Sequence, residues 1–267
     1  MRKLPPNIPR PTTTAKGLTG TQAFHDSAWK HVRGQARYID DLPEPAELLH
    51  AAVGQSTHAH ARITAMDLSE VWAYPGVVSV MTVEDVPGHT DIGPVFPGDP
   101  VLAGDVVEHV GQPLFAVAAT SHRAARQAAR LAKVSYEPLP AALTAEAALD
   151  QQLFVRPSHT QLRGDPDKAL AEAPNRLQAQ MHVGGQEHFY LEGQACLVEP
   201  TEDAGVFVHT SSQHPSEVQK LVAEVLDLPI NEVQAEVRRM GGGFGGKETQ
   251  AAPLACVAAL LAHVTGR

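Results

Sequence analysis

The sequence predicts a mixed α/β (α+β) chain built as two units, and three observations carry that expectation. Short aliphatic runs bounded by Pro, Gly or Asp recur between Val32 and Pro140, as strands do in a mixed domain. An alanine-rich helical pattern follows the third run. A polar, proline-containing stretch then interrupts the periodicity, after which strands and helices alternate again. A length of 267 residues suits about two domains, each large enough to bury its own core. We place a loose tail at 1–20, a first unit at 21–142, a linker at 143–175 and the start of a second unit at 176–267.

The tail, Met1 to Gly20, is rich in Pro, Thr and Lys and lacks the apolar core of a secretory signal. In the first unit Leu48 to Val53, Val77 to Val83 and Leu114 to Ala119 read as strands, being aliphatic and flanked by turn residues. Ser121 is the expected N-cap of the helix that follows. Ala124, Ala125, Ala128, Leu131 and Ala132 fall at helical spacing there, and Arg123, Arg126 and Arg130 face water. Beyond Tyr136-Glu137-Pro138-Leu139-Pro140 few apolar residues stay in phase until about Pro174.

In the second unit Arg176 to Val183, Cys196 to Pro200 and Val206 to Ser211 read as strands. The clearest helix comes next. Pro215 sits in its first turn, where a missing N–H is harmless, and Val218, Leu221, Val222, Val225 and Leu226 form one stripe. Pro229 is expected to end it. Val233 to Arg238 alternates like a half-buried strand, and a glycine loop separates it from an apolar helix over Leu254 to Val264.

Composition excludes several functions. A net charge of -9 argues against nucleic acid and against an acidic membrane surface as partners. No run of about eighteen apolar residues occurs, so no helix here is expected to span a bilayer. Cys196 and Cys256 are too few and too widely spaced for an iron-sulfur cluster or a structural zinc site in this chain. A reducing, cytoplasmic setting suits them.

Gly241-Gly242-Gly243-Phe244-Gly245-Gly246-Lys247-Glu248-Thr249 is the most informative local feature. Five glycines bring bare backbone to the surface, so consecutive N–H groups can converge on an anion or an oxo group ahead of a helix. Gly241 to Gly246 satisfies the dinucleotide pattern G-x-G-x-x-G, although the acidic ribose partner about twenty residues further on falls outside the sequence. Gly241, Gly246 and Lys247 also fit a P-loop, but Glu248 stands where a Ser or Thr must hold magnesium, and a carboxylate there would repel phosphates. A purely structural glycine turn is the third reading. An acid such as Glu248 in the first turn of a helix is also stabilised by the helix dipole alone.

Upstream, Gly184-Gly185-Gln186-Glu187-His188-Phe189-Tyr190-Leu191-Glu192-Gly193-Gln194 gathers amides, acids, an imidazole and two aromatics. Alone, such a stretch is more often a hydrogen-bonded structural element than a site. His58 and His60 would share one face of a strand, yet no third ligand accompanies them, so a metal pair is not expected. Asp40 and Asp41 are adjacent, and on an extended segment they would face opposite ways; a turn beside Pro43 explains them better.

Together these two stretches resemble the paired signatures of the molybdenum hydroxylases, the family of xanthine dehydrogenases and aldehyde oxidases. The resemblance extends through Tyr38-Ile39-Asp40-Asp41-Leu42-Pro43, His58-Ala59-His60-Ala61-Arg62, Pro75-Gly76-Val77-Val78 and Val110-Gly111-Gln112-Pro113. It is nearest to the amino-terminal portion of the molybdopterin-binding subunit of xanthine dehydrogenases. It implies an α/β hammerhead domain followed by the beginning of the molybdopterin-binding domain. Gln186 matches the family glutamine whose amide hydrogen-bonds an oxo ligand of molybdenum, and Gly243, Phe244 and Gly245 match the loop passing beside the metal. The resemblance implies no direct protein ligand to the molybdenum. Glu248 matches an acid that contacts the purine in xanthine dehydrogenases and that aldehyde oxidases usually replace.

The resemblance therefore implies hypoxanthine and xanthine as substrates, with Gln186 and Glu248 in catalytic positions and water as the oxygen source. It further implies a molybdenum-molybdopterin cofactor, iron-sulfur clusters and FAD on a partner subunit, and NAD as acceptor. The family's general base, a distal glutamate, has no counterpart here, and neither have the purine-clamping arginine and aromatics. The remaining C-terminal molybdenum domain is thus an implied partner, and the isolated chain is expected to be inactive. The other expectations are an aldehyde oxidase-type enzyme and a non-catalytic binding or assembly module that keeps the fold.

Overall fold

A computed structural model describes residues 25–267; the tail expected at 1–20 lies outside the described residues. The first unit opens with the short helix α1 (Ala28–Val32) and a 3-10 turn at Ile39–Asp41. It continues through β1 (His50–Gln55), β2 (Ala61–Asp67), α2 (Ser69–Trp72), β3 (Val77–Met81), β4 (Val106–Val107), β5 (Pro113–Ala119), α3 (His122–Ala129) and β6 (Lys133–Pro138). Its strands form two three-stranded antiparallel sheets, ordered β1-β5-β3 and β4-β2-β6. β5 is central in the first sheet and buried along nearly its whole length, which is why it reads as a continuous apolar run.

Local chemistry sets several boundaries. The Ser121 hydroxyl accepts the Ala124 N–H at 3.1 Å, the N-cap expected from sequence. α3 stops at Ala129, so Leu131 and Ala132 pack on the second hydrophobic cluster from beyond the helix end. β2 and β6 carry no isolated signal in sequence. They are made by pairing with each other, from Ala61 opposite Pro138 to Asp67 opposite Lys133.

Two exposed helices, α4 (Ala145–Asp150) and α5 (Pro166–Glu172), punctuate the stretch between the units. Each is capped by its own sequence: Thr144 accepts from Ala147 N–H, and Asp165 accepts from Lys168 N–H ahead of Pro166. The strand expected over Arg176 to Val183 does not form. Leu177 is 95 % and Met181 84 % exposed, and no described strand lies alongside to take the backbone bonds, without which an extended segment is not a strand.

The second unit consists of β7 (Cys196–Pro200), β8 (Val206–Thr210), α6 (Pro215–Leu226), β9 (Val233–Glu236) and α7 (Ala251–Thr265). β8 pairs antiparallel with β7 and parallel with β9, so α6 is the crossover that a parallel pair requires. The helix ends at Leu226 with Asp227 in the left-handed region at φ 53°, two residues before Pro229. Its terminal carbonyls are closed from the first unit: Gly88 N–H donates to Val225 O at 3.1 Å and His89 N–H to Glu224 O at 2.9 Å. These donors satisfy groups a helix leaves open, and a Cβ on Gly88 would lie 2.0 Å from Glu224 O. α7 is apolar on every side because it is buried. One continuous core joins Met81, Leu102 and Ala116 of the first unit to Val208, Leu221, Val222 and Leu260 of the second.

Candidate functional site

β9 ends at Glu236 and α7 begins at Ala251, and the glycine loop fills the gap between them. Glu248 therefore lies outside the helix, two residues ahead of the Gln250 N-cap, and its exposed carboxylate is not a first-turn residue as sequence suggested. The loop's inner side is held by the chain leaving β8. Gln213 N–H donates to Lys247 O at 2.8 Å, and the Ser212 hydroxyl donates to the same carbonyl at 3.3 Å. In return the Gln213 side-chain oxygen accepts Gly245 N–H at 2.9 Å and Lys247 N–H at 3.3 Å.

Of the loop amides expected to converge on an anion or an oxo group, those of Gly245 and Lys247 are taken by Gln213. Gly246 N–H is also spent, on Gly243 O at 2.7 Å. Nor does the lysine behave as a P-loop lysine. Lys247 is 0 % exposed; its ammonium donates to the Ser211 hydroxyl at 2.7 Å and to Glu192 Oε2 at 3.3 Å, and it lies 4.7 Å from the centre of the Tyr190 ring. A buried ammonium so surrounded is a structural strut.

Glu192 is the hub of the strut. Oε2 accepts from the Ser211 hydroxyl at 2.5 Å and from Gly241 N–H at 2.8 Å, while Oε1 lies 3.5 Å from Ile39 N–H of the first unit. Partial burial works to raise its pKa, but the Ser211 and Gly241 hydrogen bonds and the Lys247 charge outweigh burial and hold the carboxyl below its ordinary value. Gln194 completes the docking: its amide nitrogen donates to Gly246 O at 2.9 Å and to the Tyr190 hydroxyl at 3.0 Å.

The two signature stretches thus fold onto one another through Tyr190, Glu192 and Gln194 against Gly241 to Lys247. Glycine is required at this seam. A Cβ at Gly246 would lie 2.7 Å from the Tyr190 ring and 2.9 Å from the His188 ring, and one at Gly241 would lie 2.4 Å from Glu192 Cβ. Gly243 is buried and faces inward, where a Cβ would meet Gln213 Oε1 at 2.6 Å.

The outer surface differs. Phe244 is 76 % exposed with φ 52°, a strained conformation for a bulky residue. Gly245, at φ 90°, is exposed, and a Cβ there would meet nothing nearer than His188 Nε2 at 4.0 Å. Glu248 is exposed on the same loop. Gln186 is exposed two residues before His188, within about 7 Å of it along the chain. The exposed side of the loop therefore offers bare glycine backbone, an aromatic and one carboxylate, while the Lys247 ammonium is buried and Gln186 is exposed on the other stretch. That set fits the edge of a cofactor whose oxygens accept hydrogen bonds; with the Gly245 and Lys247 amides occupied and Lys247 buried, a P-loop arrangement around a phosphate does not form.

Two stretches docked on a strand-loop-helix, behind a first unit of two small antiparallel sheets, match known proteins throughout. A family described as the aldehyde oxidase and xanthine dehydrogenase a/b hammerhead domain matches residues 33–140, and the molybdopterin cofactor-binding domain matches residues 149–267. The chain belongs to the aldehyde oxidase and xanthine dehydrogenase family of molybdenum hydroxylases. Among members of this family, aldehyde oxidase 4 of Rattus norvegicus is 39% identical over 259 residues, 96% of this chain and 19% of that protein. Xanthine dehydrogenase/oxidase of Gallus gallus is 39% identical over 249 residues, 93% of this chain and 18% of that protein. The chain thus spans about a fifth of the length of these relatives.

The crystal structure of quinoline 2-oxidoreductase from Pseudomonas putida 86 superposes with a TM-score of 0.76 at 28% identity, covering 93% of this chain and 34% of that one. Aldehyde oxidoreductase from Desulfovibrio gigas gives 0.73 at 28% identity, covering 88% and 29%. The α/β hammerhead and the molybdopterin-binding fold expected from the sequence are both present in this molybdenum hydroxylase chain.

Residues discounted from sequence stay outside the site. His58 and His60 precede β2 rather than sharing its face; the His58 ring lies tilted against that of Tyr136 with centroids 4.4 Å apart, and His60 Nδ1 lies 2.5 Å from Pro140 O. Among the described residues no group of His, Cys, Asp and Glu could hold a metal ion. Asp41 closes its own 3-10 turn by accepting Tyr38 N–H at 3.0 Å. No described helix is long and apolar enough to cross a membrane. Sequence reasoning missed Ser211, Ser212 and Gln213. Three polar residues directly after a buried strand were the one available signal; Ser211 and Ser212 are buried and Gln213 is exposed.

Proposed function

We propose that this chain forms one side of the active centre of a molybdenum-dependent purine hydroxylase that converts hypoxanthine and xanthine to urate. The observation that carries this reading is the outward face of the glycine loop, where Glu248 stands free of any internal partner while its neighbour Lys247 is locked inside. On this reading Gln186, Phe244, Gly245 and the backbone at Gly243 border the molybdopterin. When bound, that cofactor supplies the two-electron oxidation and the transfer of oxygen from water.

The chain's own residues orient and exclude. The Gln186 amide donates a hydrogen bond that fixes the cofactor edge, and Gly245 lets it approach without a side chain in the way. Phe244 displaces water from the reacting side. The Glu248 carboxyl holds or exchanges a proton at a ring nitrogen of the purine as charge builds on the ring. The remaining parts of the reading are a further stretch of molybdenum domain, iron-sulfur and FAD centres on a partner subunit, NAD as acceptor and a cytoplasmic setting.

A second reading, an aldehyde-oxidising enzyme, is favoured by relatives named aldehyde oxidase that match at the same identity as those named xanthine dehydrogenase. Glu248 separates the two. In the assembled enzyme Glu248→Ala is expected to lower kcat/KM for xanthine by roughly 100- to 1,000-fold, the usual consequence of removing one preorganised electrostatic contact. Turnover of an aromatic aldehyde should change by less than about tenfold, because no ring nitrogen is engaged. Unchanged xanthine turnover would remove the purine role.

A further inference from the structure

Glycine-rich loops ahead of helices usually leave their amides open to an anion. Here a side chain of the same chain fills that place. Gln213 Oε1 accepts both Gly245 N–H (2.9 Å) and Lys247 N–H (3.3 Å), and its own backbone N–H reaches Lys247 O at 2.8 Å. The neighbouring hydroxyls close the remaining inner surface, Ser212 onto Lys247 O at 3.3 Å and Ser211 beneath the Lys247 ammonium at 2.7 Å. Gly243 is glycine because Gln213 occupies the space of its Cβ.

We propose that Gln213 is the positioning residue of the glycine loop: its side-chain carbonyl substitutes for an anion in the amide nest and so turns Phe244, Gly245 and Glu248 outward. Phe244 is held at φ 52°, a conformation that in a bulky residue persists only where surrounding bonds over-determine it, and Gly245 beside it supplies the φ of 90° that glycine adopts freely. The bonds that do so on the Gly245 side are those to Gln213. Without the acceptor, two loop amides, Gly245 exposed and Lys247 buried, lose their partner. The loop then relaxes, and Glu248 loses its fixed direction although nothing has touched it. An acceptor at this point is sufficient, so a carboxylate should serve as well as an amide. A thioether of similar length should not.

This inference rests on the proposed function only for its kinetic consequence, and the test keeps the two apart. Amide hydrogen exchange is followed by NMR on the full chain for Gln213→Met, which keeps length without an acceptor, and for Gln213→Glu, which keeps the acceptor. Exchange at Gly245 and Lys247 is expected to accelerate about tenfold in Gln213→Met, as for one lost hydrogen bond, and to stay near the parent in Gln213→Glu, with α7 amides unchanged in both. In the assembled enzyme kcat/KM should follow the same order, kcat falling more than KM rises. Unchanged exchange in Gln213→Met, or equal acceleration in both variants, would overturn the proposal. Acceleration confined to Gln213→Met with turnover intact would uphold Gln213 as the positioning residue and instead remove the loop from the reaction.

Discussion

Replacing Glu192 by leucine tests the strut beneath the loop. The substitution leaves the Lys247 ammonium, 0 % exposed, with the Ser211 hydroxyl at 2.7 Å and the Tyr190 ring face but no counter-charge. Breaking a buried pair from one side costs about 3–5 kcal/mol, and the Gly241 N–H and Ser211 hydroxyl lose their acceptor as well. We expect a net loss of about 4 kcal/mol, the middle of that range. Lys247→Met should cost less, roughly 2 kcal/mol, because Glu192 keeps two donors and, at 11% side-chain exposure, some water. Glu192→Leu/Lys247→Met should be less damaging than Glu192→Leu alone, since both charges leave together.

Urea unfolding followed by circular dichroism reads these differences; with a slope of about 2 kcal/mol/M, Glu192→Leu shifts the midpoint of the second unit down by about 2 M. A loss below about 1 kcal/mol, or a double variant as unstable as the two single losses added, would refute the reasoning.

The same carboxylate sets an acid limit, since its folded pKa lies below its ordinary value. Such a group contributes stability above its unfolded value of about 4.3 and loses that contribution as pH falls through the folded one. Stability of the second unit should therefore decline below about pH 4.3, and Glu192→Gln should flatten that part of the curve in a pH series of urea midpoints. The thiols should react poorly in the folded chain, because burial pushes Cys196 up to about 12 and raises Cys256 as well. Iodoacetamide at pH 8 is expected to leave the buried Cys256 unlabelled and to label the partly exposed Cys196 only slowly in native buffer, and to label both in urea; rapid native labelling of Cys256 would contradict its burial.

Local sequence signals reproduced much of the second unit. β7 needed only its β-branched and turn-flanked pattern, and α6 needed its stripe and Pro215, so both appear where the sequence placed them. Ser121 was legible for the same reason, since capping depends on three residues of chain. β2 and β6 were not legible, because what makes Ile63 a strand residue is Tyr136 opposite it, a partner 73 positions away in sequence that no window includes. Arg176 to Val183 failed in the opposite sense: its pattern suits a strand, yet a strand also needs a neighbour.

At the site, the sequence located the two stretches that meet but inverted the loop. Five glycines and a lysine read as an anion cradle from composition. The inward turn of Lys247 depends on Glu192, ahead of β7, and on Ser211, and the filling of the nest depends on Gln213; the last two are brought there by the chain leaving β8. The glycines at 241, 243 and 246 answer to Glu192, Gln213 and Tyr190, and only Gly245 is left bare for a ligand.

The central claim is that Gln186 and the outer face of the glycine loop border one molybdenum centre, and a high-resolution structure of the cofactor-loaded, assembled enzyme with a bound purine analogue tests it most directly. The expected result places the Gln186 amide within about 3.2 Å of a cofactor oxygen, Phe244 and Gly245 against the same edge, and the Glu248 carboxyl on a ring nitrogen of the analogue. A cofactor seated elsewhere, for instance against the 430 Å³ basic cavity lined by Lys30, Arg37, Arg238 and Arg239, with Gln186 and Glu248 left in solvent, would contradict it.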